Sequence, residues 1–178
     1  SEIVSLAVPG KVSSPDVFSV SLDDSSAFLC SPLQSGGNTL AWLAGSFYPE
    51  FGQPVRYDLL EQEAQNAQPG CNGLVCLPYL NGERAPIWDS QARGAFLGIN
   101  ASHSRKDFTR AVYESIAFAI RHTLDVSEAA AGFTAQDFVV CGGGSRSHFW
   151  NQLKADVLQR QVIPTADSQT GCLGAAVI

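Results

Sequence analysis

The sequence predicts an α/β domain in which helices flank a mixed sheet. Three observations carry this expectation. Three strand-like runs open the chain, parted by short turn clusters. Helical and strand-like patterns then alternate to the end. Near the end, residues 137–160 join an apolar run to a helical pattern through Gly142-Gly143-Gly144. That arrangement is a β-α unit, the building block of parallel pairing.

Taken in order, residues 3–8, 16–22 and 26–33 are the three opening strands, bounded by Pro9-Gly10 and Asp23-Asp24-Ser25. Short turns between them imply an antiparallel meander. Ser35-Gly36-Gly37-Asn38 then leads into the helical Thr39-Leu40-Ala41-Trp42-Leu43. Residues 49–54 are loop, and 56–66 form a polar helix that turns Leu59 and Leu60 inward. Pro69-Gly70 closes that segment, and residues 74–77 read as a short buried strand. Residues 78–89 are irregular and dense in charge, aromatic rings and proline; adjacent Glu83 and Arg84 read as a surface ion pair of little worth, the alternative being a site, since sites sit in loops of such mixed chemistry. Residues 96–99 are another short strand. Ser104 and Asp107 resemble a capping box, so a helix runs from about Arg105 to Ala131 and stops at Gly132. Its centre, Ile116-Ala117-Phe118-Ala119-Ile120, is apolar all round, which predicts cover on more than one side. Glu114, just before that centre, is expected to be paired or hydrogen-bonded rather than catalytic. Residues 138–141 form a buried strand, residues 161–164 another, and a last helix begins near Thr170.

The 178 residues make about one domain. A hydrophobic fraction of 45% with 16% charged residues is that of a globular chain. The net charge of −6 argues against a broad nucleic-acid or anionic-membrane surface, which needs excess Lys and Arg. No signal peptide opens the chain and no apolar run approaches the ~20 residues of a membrane span, so a cytoplasmic protein is expected. Five irregularly spaced cysteines read as buried free thiols. His103, His122 and His148 stand apart from any nucleophile or carboxylate partner. Both ends look cut, so residues 1–178 read as one domain of a longer chain, truncated at each end.

Chemistry concentrates at the glycine turns. A helix N-terminus presents unpaired N–H groups and a partial positive charge. Glycines before it let backbone approach a ligand closely. Gly142-Gly143-Gly144, with Ser145 and Ser147 at the helix start, therefore makes a seat for a phosphate or nucleotide. The helix start at Gly36-Gly37 is a second such place. The alternative at each is a tight turn with no ligand.

These residues resemble the C-terminal domain of the FGGY family of carbohydrate kinases, over nearly the whole chain. The most specific piece is the family's second signature. It is matched by Gly94-Ala95-Phe96-Leu97-Gly98-Ile99, seven intervening residues, and Asp107-Phe108-Thr109-Arg110-Ala111-Val112-Tyr113-Glu114. Leu77-Pro78-Tyr79-Leu80-Asn81-Gly82-Glu83-Arg84-Ala85-Pro86 is similar to a loop of xylulokinase-like and gluconokinase-like members. Cys141-Gly142-Gly143-Gly144-Ser145-Arg146-Ser147 resembles the family's adenosine motif, and residues 167–176 the stretch leading into its last helix. The resemblance implies an actin-like ATPase (ribonuclease H-like) fold that binds ATP with Mg2+ in a cleft between two domains. It implies adenosine on Gly143 and Gly144, Ser147 as a polar ligand, and Gly37 near ribose and phosphates. Relatives often carry Gln or Arg one helical turn beyond Gly37, where this chain has Ala41. The general-base aspartate, the phosphate-gripping Gly-Thr loop and most contacts to the sugar or sugar-acid substrate are expected upstream, so no catalytic residue is assigned here. Homodimerisation stays open.

Two other readings compete. Gly142-x-Gly144 after a strand, with Asp167 beyond the next one, mimics part of a dinucleotide-binding oxidoreductase fingerprint, but Ser147 stands where a third small residue belongs. A non-catalytic actin-like binding module is the other.

Overall fold

The computed structural model describes residues 2–166 and residue 170. Three strands come first: β1 (Glu2–Pro9), β2 (Phe18–Ser21) and β3 (Ser26–Leu33). They pair antiparallel in the order β1-β3-β2, with β3 central, and so do not form the expected meander. Length explains the order. β1 and β3 match over eight pairs, Glu2↔Leu33 to Pro9↔Ser26, whereas β2 offers four, Phe18↔Cys30 to Ser21↔Ala27. The longer ladder also aligns buried Val4, Leu6 and Val8 with Ser31, Leu29 and Ala27 on one face.

Helix α1 (Gly37–Phe47) and helix α2 (Tyr57–Gln65) follow. Leu60 is buried and Leu59 half-buried, as their spacing requires. β4 (Val75–Leu77) and β5 (Ala95–Leu97) form a separate antiparallel pair. Only Cys76 of β4 is buried, so this strand lies at the surface and not inside.

Helix α3 (Arg105–Ala131) has the bounds its end signals dictate. The Ser104 backbone N–H and hydroxyl both donate to Asp107 Oδ2, at 2.9 and 3.0 Å. Gly132 closes the helix with φ +75° and donates to Glu128 O at 2.8 Å. Val112, Ile116, Ala117, Ile120 and Leu124 belong to one large core shared with α1, α2 and α4. The helix is thus covered on more than one side as expected, while Phe118 of its apolar centre is 57% exposed beside a cleft of about 460 Å³ between α3, α4 and β4. Glu114 is paired as expected, accepting from Arg110 Nε at 2.8 Å and Gly70 N at 3.1 Å.

β6 (Asp137–Val140), helix α4 (His148–Leu158) and β7 (Gln161–Pro164) complete the described chain, with β6 and β7 parallel. Pairing is thus mixed, although the described strands fall into three hydrogen-bonded groups. Phe138 of β6 and Val162 of β7 pack on the same core as Val4 and Leu33, so α3 and α4 lie against both groups. Of the thiols, Cys71 and Cys76 are buried as expected, Cys30 is half-buried and Cys141 is exposed, because β6 ends before it. Cys172 and Asp167 lie outside the described residues, as does the remainder of the 167–176 stretch except Thr170, which is helical. Among the described residues no helix is long and apolar enough to cross a membrane.

Candidate functional site: two glycine helix entrances

The α4 entrance is built from its own neighbours. β6 stops at Val140, and Gly142 turns the chain with φ +82°. Residues Gly143–Arg146 form one 3-10 turn. Ser145 donates to Gly142 O through its N–H at 3.2 Å and its hydroxyl at 2.8 Å. Asn151 Nδ2 reaches back to Ser145 O at 2.7 Å. Ser147 is the N-cap of α4, its Oγ accepting from Trp150 N at 2.9 Å. A capping hydroxyl still has its own proton to donate.

The three glycines there have different reasons to be glycine. Gly142 needs its positive φ. A Cβ on Gly144 would stand 2.8 Å from the Trp150 ring, so this glycine is required by packing. Gly143 has neither constraint: its φ is ordinary and, among the described residues, nothing lies within 4 Å of where a Cβ would be. Trp150 Nε1 and Asn151 Oδ1, buried beside the turn, have no hydrogen-bond partner among the described residues, and a bound polar molecule or water is what satisfies such atoms.

The α1 entrance is held from far away in sequence. Glu83 is only 4% exposed, and the surface ion pair expected with Arg84 does not form. Its carboxylate instead accepts from Gln34 N at 2.5 Å, Ser35 N at 3.3 Å, Ser35 Oγ at 2.6 Å and Arg84 N at 2.8 Å. Arg84 turns its guanidinium to Leu33 O, 3.3 Å from Nη2. Ala85 N donates to Pro32 O at 3.0 Å, so residues 83–85 run along residues 32–35. After this brace come Gly36, whose N–H donates to Thr39 Oγ1 at 3.4 Å, and Gly37, the first residue of α1. Like Gly143, Gly37 has an ordinary φ and open space where a Cβ would stand.

Electrostatics relates the two entrances. Lys154 of α4, 5% exposed, places Nζ 4.3 Å from the centre of the Trp150 ring, the ring that also covers Gly144. Burial lowers the Lys154 pKa, and the nearby Glu2 carboxylate opposes this. Burial raises the Glu2 pKa, opposed by Lys154 and by the Gly37 backbone amide. Glu2 therefore bears electrostatically on both α1 and α4.

Of the residues singled out in the sequence, the structure places Gly143, Gly144 and Ser147 on one turn, and Gly37 at the other entrance. Glu83, Trp150 and Lys154 were missed. Trp150 and Lys154 are one helical turn apart, a spacing that could have paired them. Among the described residues no group of three or more His, Cys, Asp or Glu could hold a metal ion.

The sequence profile of the C-terminal domain of the FGGY family of carbohydrate kinases matches residues 19–178. A gluconokinase of Bacillus subtilis is 31% identical over 169 residues, which cover 91% of this chain and 33% of that protein. A xylulose kinase of Lactococcus lactis is 35% identical over 144 residues, covering 81% of this chain and 28% of that one. The solved structure of a ligand-bound xylulose kinase from Lactobacillus acidophilus superposes with a TM-score of 0.86 at 29% identity, over 98% of this chain and 35% of that one. A glycerol kinase from Plasmodium falciparum, solved with ADP, shares the fold with a TM-score of 0.82 at 21% identity, over 98% of this chain and 36% of that one. The chain spans about a third of the length of the curated relatives it matches.

Proposed function

The chain belongs to the FGGY family of carbohydrate kinases, and on that premise we propose that it is the nucleotide-binding part of an ATP-dependent sugar kinase. One observation carries the reading. Gly37 and Gly143 stand at helix entrances, with no described residue within 4 Å of where a Cβ would be and no backbone angle that demands glycine. The lack of a Cβ at such positions serves a ligand that comes close to the backbone. The N-terminal ends of α1 and α4 favour negative charge there.

In this reading adenosine rests on the Gly143-Gly144 turn and the Ser147 hydroxyl donates to it. The Gly37 entrance takes ribose and phosphates. Gly144 shapes the turn by admitting the Trp150 ring. The acceptor is a hydroxyl of a pentulose or of gluconate, the substrate classes in the names of the relatives. Phosphoryl transfer depends mainly on positioning and charge neutralisation, which backbone amides supply on this side. Mg2+ would neutralise phosphate charge when bound with the nucleotide; the described residues offer no ligand cluster for it. The aspartate that deprotonates the sugar hydroxyl lies outside residues 1–178.

The test uses the full-length protein with ATP and with xylulose or gluconate as acceptor. Wild type should phosphorylate one of the two. Gly143→Val should weaken ATP binding by at least about tenfold, a loss of about 1.4 kcal/mol, with an unchanged melting temperature. Equal ATP affinity in wild type and Gly143→Val would sink the assignment.

A further inference from the structure

Glu83 is a buried carboxylate that the proposed chemistry does not use. An ionised carboxylate only accepts hydrogen bonds, and bonds to it are stronger than neutral ones. This one takes four donors, and two of them are the backbone amides of Gln34 and Ser35, the last before the glycines. Gly36 and Gly37 carry no side chain to pack, so the direction in which α1 starts depends on what holds the residues before them. The loop that supplies Glu83 is itself pinned. Glu83 N donates to Asp89 O at 2.9 Å and Asp89 N to Glu83 O at 3.0 Å. Gly82, at φ +77°, lies so close to Ser90 that a Cβ would come within 2.8 Å of its carbonyl oxygen. Ala85 N and Arg84 Nη2 anchor the same loop to Pro32 O and Leu33 O.

We propose that Glu83 is a positioning residue for the nucleotide seat: its carboxylate holds Gln34 and Ser35 so that the Gly37 entrance stands where it receives the nucleotide. This rests on the nucleotide reading of that entrance. Glu83 touches no reacting atom and acts through the backbone of residues 34–37. The loop at residues 78–89 is thus a brace that sets affinity for ATP, not a surface ornament.

The experiment compares full-length wild type with Glu83→Gln by calorimetric ATP titration, steady-state kinetics, thermal melting and hydrogen exchange at residues 34–39. Glu83→Gln keeps the shape but turns an amide N–H toward donors. Exchange at 34–39 should quicken, and the Kd and KM for ATP should rise about tenfold, the size of one charge-assisted bond. The KM for sugar and kcat should stay within about twofold. If Glu83→Gln does not fold, Ser35→Ala removes one of the four bonds and should weaken ATP about threefold. Faster exchange with unchanged ATP affinity overturns the positioning role and leaves the nucleotide reading standing. A wild type that binds no ATP overturns the nucleotide reading, and the positioning role with it.

Discussion

At the α4 entrance, hydrogen bonds that fix the glycine turn come from its own neighbours, within residues 142–151. At the α1 entrance, the fixing carboxylate arrives from Glu83, 49 residues after Gln34 and beyond α2 and β4. Both turns follow a strand, and both leave one glycine open. The difference teaches that a similar local motif is stabilised by independent means. The first turn is bonded to its own helix, whereas the second is also bonded to the loop at 78–89.

Breaking the remote brace should cost most. Glu83→Ala leaves the Gln34, Ser35 and Arg84 amides without their acceptor in a buried site, a loss of about 3 kcal/mol by urea unfolding. The local turn should lose less when overpacked. Gly144→Val drives a side chain into the Trp150 ring, at a cost of about 2 kcal/mol. A third entrance without glycine sharpens the contrast. Burial raises the Asp107 pKa, but the Ser104 N–H and hydroxyl outweigh it and hold the carboxyl below its ordinary 3.8. A depressed carboxyl adds stability that is full above 3.8 and is lost as pH falls below it. Asp107→Asn should therefore cost about 1 kcal/mol at neutral pH, and the gap to wild type should narrow in acid. The smallest expected change in stability is that of Gly143→Val, under about 0.5 kcal/mol, since no described residue lies within 4 Å of the added Cβ. Its effect should fall on ATP binding alone.

The residues that were legible in the sequence are those whose signals are local. Ser104, Asp107 and Gly132 bounded α3 because caps act within one turn. The β6–α4–β7 unit followed from an apolar run, three glycines and a helical face. The family, too, was readable from consecutive words. What escaped depends on distant partners. The order β1-β3-β2 was decided by ladder length, which turn signals do not report. Glu83 looked like a surface charge because its donors lie near residue 35. Phe118 sat in an apolar stretch, yet a cleft opens beside it, and no period in a sequence marks a cleft. At the candidate site the glycines were found and their supports, Trp150 and Lys154, were not, since those act through stacking across the helix surface.

Trp150 lies almost fully shielded between Gly144 and Lys154, while Trp42 and Trp88 are about two-fifths open to solvent. The molecule therefore carries its own optical probe at the Gly142–Gly144 turn. With Trp42 and Trp88 changed to Phe, the emission left from this chain comes from one indole, and any guest settling on that turn registers in its colour and intensity without an added dye.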